Sequence, residues 1–145
     1  MAAALDGRVV LITGGSAGIG KAAAKLFAEA GASTVFAARG AERGQLVEQE
    51  LRQAGLDVRF VQADVSQSED VQSLIAQTVE KFGRLDCAFN NAAVLGKNTR
   101  TADFSDADFD AEVVSNLKSI WLCMKYELQQ MQSQEARLRE PSCRR

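Results

Sequence analysis

Histidine is absent from this 145-residue chain, which also holds only one tyrosine, one tryptophan and one proline. Without imidazole no unperturbed side chain changes charge near neutrality. Proton transfer would have to fall to Asp, Glu, Lys, Cys or the single phenol, Tyr126. The three cysteines, Cys87, Cys123 and Cys143, are odd in number and show no C-x-x-C spacing. That pattern argues against a disulfide framework and against a zinc site, and for a reduced, cytoplasmic setting with no metal. Long apolar runs are missing too: the first is VVLI, with no basic segment before it. Neither a signal peptide nor a membrane span is expected. A formal charge of -2 gives no global field for nucleic acid or anionic lipid. With 46% hydrophobic and 25% charged residues, the composition is that of a globular domain and not of a disordered chain.

What is present is an alternation of two periodicities. RVVLIT, residues 8–13, is a β-branched run that reads as a strand buried on both faces. The helix after it places Ile19, Ala23, Leu26 and Ala30 on one face, with Gly31 as its stop. STVFAA reads as a second strand, residues 42–54 as a helix and DVRFVQA as a third strand. Ser66 and Glu69 have capping-box spacing before a helix bearing Val71, Leu74, Ile75, Val79 and Phe82. RLDCAFNNA supplies a fourth strand. Ser105 and Asp108 then cap a long helix with Phe109, Val113, Val114, Leu117, Ile120, Trp121, Met124 and Leu128 at helical spacing. Strands alternating with helices predict an α/β fold with a doubly wound parallel sheet.

TGGSAGIG, residues 13–20, falls between the first strand and the first helix. Gly14 and Gly18 suit a sharp turn that brings backbone N–H groups to an anion, and Gly20 allows close helix–strand packing. The helix N-terminus then faces a phosphate with its partial positive charge. A tight turn with nothing bound has the same glycine pattern. Three more features accompany it: ADV at 63–65, NNAA at 90–93, and Asn116 inside the long helix. Together they resemble the short-chain dehydrogenase/reductase family over residues 5–131.

The resemblance implies a Rossmann-like sheet of order 3-2-1-4, incomplete after its fourth strand, and a bound dinucleotide. It places Gly14, Gly15, Ser16, Ala17, Gly18, Ile19 and Gly20 around the coenzyme phosphates and adjacent ribose. Asp64 would accept a hydrogen bond from the adenine amino group, with the Val65 backbone beside it. Asn90, Ala92 and Ala93 would line the coenzyme, while Asn91 ties the sheet together. Where an acidic residue would select NAD, this chain has Ala38 followed by Arg39, whose guanidinium suits the 2'-phosphate of NADP. NADP is therefore the expected coenzyme, with NAD as the alternative.

The family's serine, and its tyrosine four residues before a lysine, have no counterparts here. Tyr126 is followed by Gln130, and Lys125 projects about 100° away around the helix. Tyr126 reads as a packing residue. Asn116 is the one matched member of the catalytic set; without its partners, a helix residue bonded locally to backbone describes it equally well. Trp121 with Met124, Leu128 and Met131 reads as core, or as a homo-oligomer face.

Residues 1–131 are thus expected to form the coenzyme-binding domain. Residues 132–145, with four arginines among the last nine, are expected to be a polar basic tail without order, of foreign origin to the family pattern. The function expected is the coenzyme-binding half of an oxidoreductase acting on small alcohols and carbonyls, inactive alone. A non-catalytic dinucleotide-binding or interaction module and a nonfunctional truncated product are the alternatives. The fourth strand would stand as an exposed edge that invites association.

Overall fold

Four consecutive buried residues, Val9 to Ile12, open the strand at the centre of the sheet. The computed structural model describes residues 4–139, with side chains through Gln134. β1 (Val9–Thr13) has β2 (Ser33–Ala38) on one side and β4 (Cys87–Asn90) on the other, and β3 (Val58–Gln62) pairs with β2. All pairings are parallel, in the order β3-β2-β1-β4. Alternate residues of β1 face opposite layers, and both layers are covered, so each side chain of the run is apolar. Val10 and Ile12 join Phe36 and Phe60 under the helices α1 (Gly18–Glu29) and α2 (Ala41–Gln53). Leu11, Val35 and Val61 meet Leu74 and Ile75 of α3 (Ser68–Phe82) on the other side.

The four strands and their order follow the expectation, and three helices differ from it in detail. Ser66 does not cap α3: its N–H and hydroxyl both donate to Asp64 Oδ1, at 3.0 and 2.8 Å. That local turn takes the serine out of the helix, whose N-cap is Gln67 without a side-chain bond. Ser105 does cap α4 (Asp106–Glu112), accepting from the Asp108 N–H at 3.2 Å. A π-helical segment, Val113–Lys118, joins α4 directly to α5 (Ser119–Arg139).

Of the stripe read as core or as a homo-oligomer face, Met131 packs on the core while Trp121, Met124 and Leu128 face outward. Phe109, Leu117, Trp121, Met124 and Leu128 are exposed, while Leu122 and Cys123 are buried against Val71. The helix also continues eight residues past the expected boundary at 131, to Arg139. Gln134 anchors it there, donating to the Leu85 carbonyl at 2.6 Å and accepting from the Leu85 N–H at 3.0 Å. Residues 132–139, expected to begin a tail without order, thus lie in α5, and the remainder of that tail, 140–145, lies outside the described residues.

Candidate functional site

Four residues, Gly14 to Ala17, carry the chain from β1 into α1, and their conformation is what the glycines permit. Gly14 has φ +70° and Gly18 +51°, a region strained for other residues. A Cβ on Gly14 would also come 2.9 Å from the Ala92 Cα, so the turn lies directly against the loop leaving β4. Gly20 has no room for a side chain beside the Gly14 carbonyl and the Asn91 amide. The α1 N-terminus has Ala17 as its cap residue and no side-chain cap. Its first N–H groups therefore have no helical or side-chain acceptor, an anion-binding arrangement.

Asn91 fastens the two loops together. Its side-chain amide donates to the Thr13 carbonyl at 3.1 Å, and its backbone N–H and that of Ala92 donate to Thr13 Oγ1, each at 3.0 Å. A cleft of about 560 Å³ opens beyond the carboxyl ends of β1, β2 and β3. Of the residues singled out in the sequence, Gly14, Ser16, Ala17, Gly18, Arg39, Asp64, Val65, Asn91, Ala92 and Ala93 line it. Arg43 and Ser66 line it as well. The position of Arg43, one turn into α2, was the available signal for the first. Ser66 was hidden by its misreading as a helix cap.

Four expected residues stand elsewhere. Gly15 packs against Phe36, and Gly20 against Gly14 and Asn91. The Ile19 side chain is exposed and lines a separate apolar groove with Leu26 and Phe89. The Asn90 side chain turns away to donate to Glu127 at 2.9 Å, a contact between residues 37 apart that no local pattern announces.

Asn116 pins the far wall, accepting from the Val94 N–H at 2.9 Å and donating to the Val94 carbonyl at 3.0 Å. Asp64 is held ionised. Burial pushes its carboxyl up, but the two Ser66 hydrogen bonds and the Arg39 charge outweigh that and leave it below the ordinary value. Tyr126 does not line the cleft: its hydroxyl is 2.8 Å from Ser68 Oγ, between α3 and α5. Lys125 Nζ lies over the Tyr126 ring, 5.0 Å from its centre.

The short chain dehydrogenase family profile matches residues 8–137. The chain belongs to the short-chain dehydrogenase/reductase family. A 3beta-hydroxysteroid dehydrogenase of Mediterraneibacter gnavus is 36% identical over 127 residues, which are 88% of this chain and 46% of that protein. An A-factor type gamma-butyrolactone 1'-reductase (1S-forming) of Streptomyces virginiae is 39% identical over 127 residues, 88% of this chain and 49% of that protein. The crystal structure of a short chain dehydrogenase from Mycobacterium smegmatis superposes with a TM-score of 0.85 at 35% identity, covering 89% of this chain and 53% of that one. This short-chain dehydrogenase/reductase chain thus spans about half the length of the relatives it matches. Members of the family bind NAD(P), and the cleft occupies the corresponding place at the strand ends. Among the described residues no cluster of metal-ligating side chains is present, and no helix is long and apolar enough to cross a membrane.

Proposed function

We propose that the cleft binds NADP(H) in preference to NAD(H), and that the chain supplies the coenzyme-binding half of an oxidoreductase interconverting small alcohols and carbonyls. The observation that carries this reading is that Arg39 and Arg43 both line the cleft beyond β2, where the strand ends in Ala38 and not in an acidic residue. Two guanidinium groups suit a phosphate monoester and give a ribose 2'-hydroxyl no acceptor. The Arg39 carbonyl accepts from Gln62 Nε2 at 3.0 Å, which steadies the backbone that carries the first of them. Residues around Gly14 to Gly18 would hold the pyrophosphate, Asp64 the adenine amino group, and Ala92 and Ala93 the ribose next to the nicotinamide. When bound, the nicotinamide supplies the hydride. The names of the two relatives, a hydroxysteroid dehydrogenase and a lactone reductase, support an alcohol or carbonyl substrate.

The chain's own contribution to proton transfer is thin. Tyr126 is engaged with Ser68, outside the cleft, and Gln130 stands four residues after it. Loss of a positioned general acid costs about 10²- to 10⁴-fold in rate. The same observation favours the second reading, a non-catalytic dinucleotide-binding module whose outward face around Trp121 meets another protein chain. Calorimetric titration with NADPH and NADH, paired with a carbonyl-reduction assay, tests both. Expected are tighter binding of NADPH and no turnover. Arg39→Ala is expected to weaken NADPH roughly 10- to 100-fold, the scale for hydrogen bonds to charged groups, and to leave NADH nearly unchanged. Equal losses for the two coenzymes would refute the 2'-phosphate role.

A further inference from the structure

Glu127 is a carboxyl group with 4% exposure, on the side of α5 that faces β4. Its Oε2 accepts from Asn90 Nδ2 at 2.9 Å. Its other oxygen, Oε1, is buried without a partner, and so is Asn90 Oδ1. These are the remaining members of two planar groups that already share one hydrogen bond. A carboxylate cannot serve them, because it and the amide oxygen both only accept. A single proton on Oε1 serves both: Oε1–H donates to Oδ1 while Nδ2–H donates to Oε2, closing a two-bond ring. We propose that Glu127 is held as a neutral carboxylic acid paired two-fold with the Asn90 amide, and that this pair is a positioning element for the coenzyme cleft.

The surroundings agree. Burial pushes the Glu127 carboxyl up, against a smaller downward pull from the Asn90 N–H. Burial likewise pushes the Cys123 thiol, one turn earlier on α5, up to about 12, so it brings no charge. α3 turns Val71, Leu74, Ile75 and Thr78 inward, and β4 contributes only Cys87, Ala88, Phe89 and Asn90. The adjoining π-helical segment has one charged residue, Lys118, which is exposed, and Lys125 lies over the rings of Trp121 and Tyr126.

Asn90 is also the last residue of β4, in register with Thr13. Thr13 receives the Asn91 and Ala92 N–H groups, and Ala92 abuts Gly14. Any rotation of Asn90 therefore reaches the glycine turn through one strand pair. The positioning role rests on the dinucleotide reading above, whereas the acid–amide pair does not.

Infrared difference spectra of wild type against Glu127→Gln at neutral pH test the proton itself. A protonated carboxylic C=O band that disappears in the variant is expected, and its absence overturns the proposal. NADPH titrations of wild type, Glu127→Gln, Glu127→Ala and Asn90→Ala test the positioning. Glutamine can form the same two-bond ring with no proton to lose, so it is expected to rescue what alanine loses. Glu127→Ala and Asn90→Ala should bind about tenfold or more weakly, the scale of a lost buried hydrogen-bond partner. Wild type, but not Glu127→Gln, should weaken as pH rises through the raised carboxyl pKa. Alanine variants that bind like wild type, or a glutamine variant as weak as alanine, overturn the positioning role. A wild type that binds no dinucleotide removes that role together with the coenzyme reading, and the infrared band then decides the pair alone.

Discussion

Asp86 joins the start of β1 to the turn before β4. Its Oδ2 accepts from the Val9 N–H at 2.9 Å, and its Oδ1 from Arg8 at 3.2 Å and Arg84 at 2.5 Å. Burial pushes this carboxyl up, but the Val9 N–H and the two guanidinium groups outweigh burial and hold it below the ordinary value. A carboxylate with a depressed folded-state pKa contributes stability that is present above the unfolded value, near 3.9, and lost as pH falls through the folded one. Both arginines are about half exposed, so the Val9 bond carries most of the effect. Asp86→Asn is therefore expected to destabilise the chain by about 1–3 kcal/mol at pH 7. The gap to wild type should narrow below about pH 4. Urea melts at the two pH values decide, and a gap unchanged in acid would contradict the ionic account. At this scale, residues whose roles are local were legible in the sequence. Gly14 and Gly18 act through their own backbone. Asn90 and Glu127 were not, because each acquires its role from a partner on another element.

Among the elements, β1 to β4 and the positions of the first three helices could be read because strand and helix periods alternate cleanly, but the α1 face of Ile19 and Leu26 is exposed, and Gly20, Ala24 and Ala28 are the buried residues. The helical ribbon over residues 106–139 could not be oriented. It carries apolar residues on both sides, Leu122, Cys123 and Tyr126 on one and Trp121, Met124 and Leu128 on the other, and spacing alone fits either as the core face. The π-helical segment adds to this, since a wider turn shifts the phase between α4 and α5. The two stripes make opposite predictions on truncation. Leu122→Ala should cost about 2–5 kcal/mol, as for other buried leucines. Trp121→Ala should stay within about 0.5 kcal/mol for the dissociated chain, because the ring is 56% exposed. Equilibrium denaturation of dilute protein measures both, and the reverse ranking would put the tryptophan stripe in the core.

At the scale of the whole molecule, three adjoining features are uncovered among the described residues. β4 stands at the sheet edge with one side of its ladder unpaired. On one layer Ile19, Leu26 and Phe89 line an apolar groove, and on the other Leu117, Trp121, Met124 and Leu128 face outward. Neither face is predictable from composition, since apolarity in a sequence does not say what covers it. An open strand edge and extended apolar patches are both association sites. The chain is accordingly expected to self-associate, with sedimentation that depends on concentration. Charged substitutions separate the two apolar faces: Leu26→Glu and Phe89→Lys test the groove, and Trp121→Glu the α5 stripe. None of the three side chains is buried, so each variant should keep the wild-type fold by circular dichroism while its assembly weakens. If the wild type sedimented as a monomer at every concentration and melted in one sharp transition, the exposed edge and both apolar faces would have to be closed within a single chain, contrary to the four-stranded arrangement described.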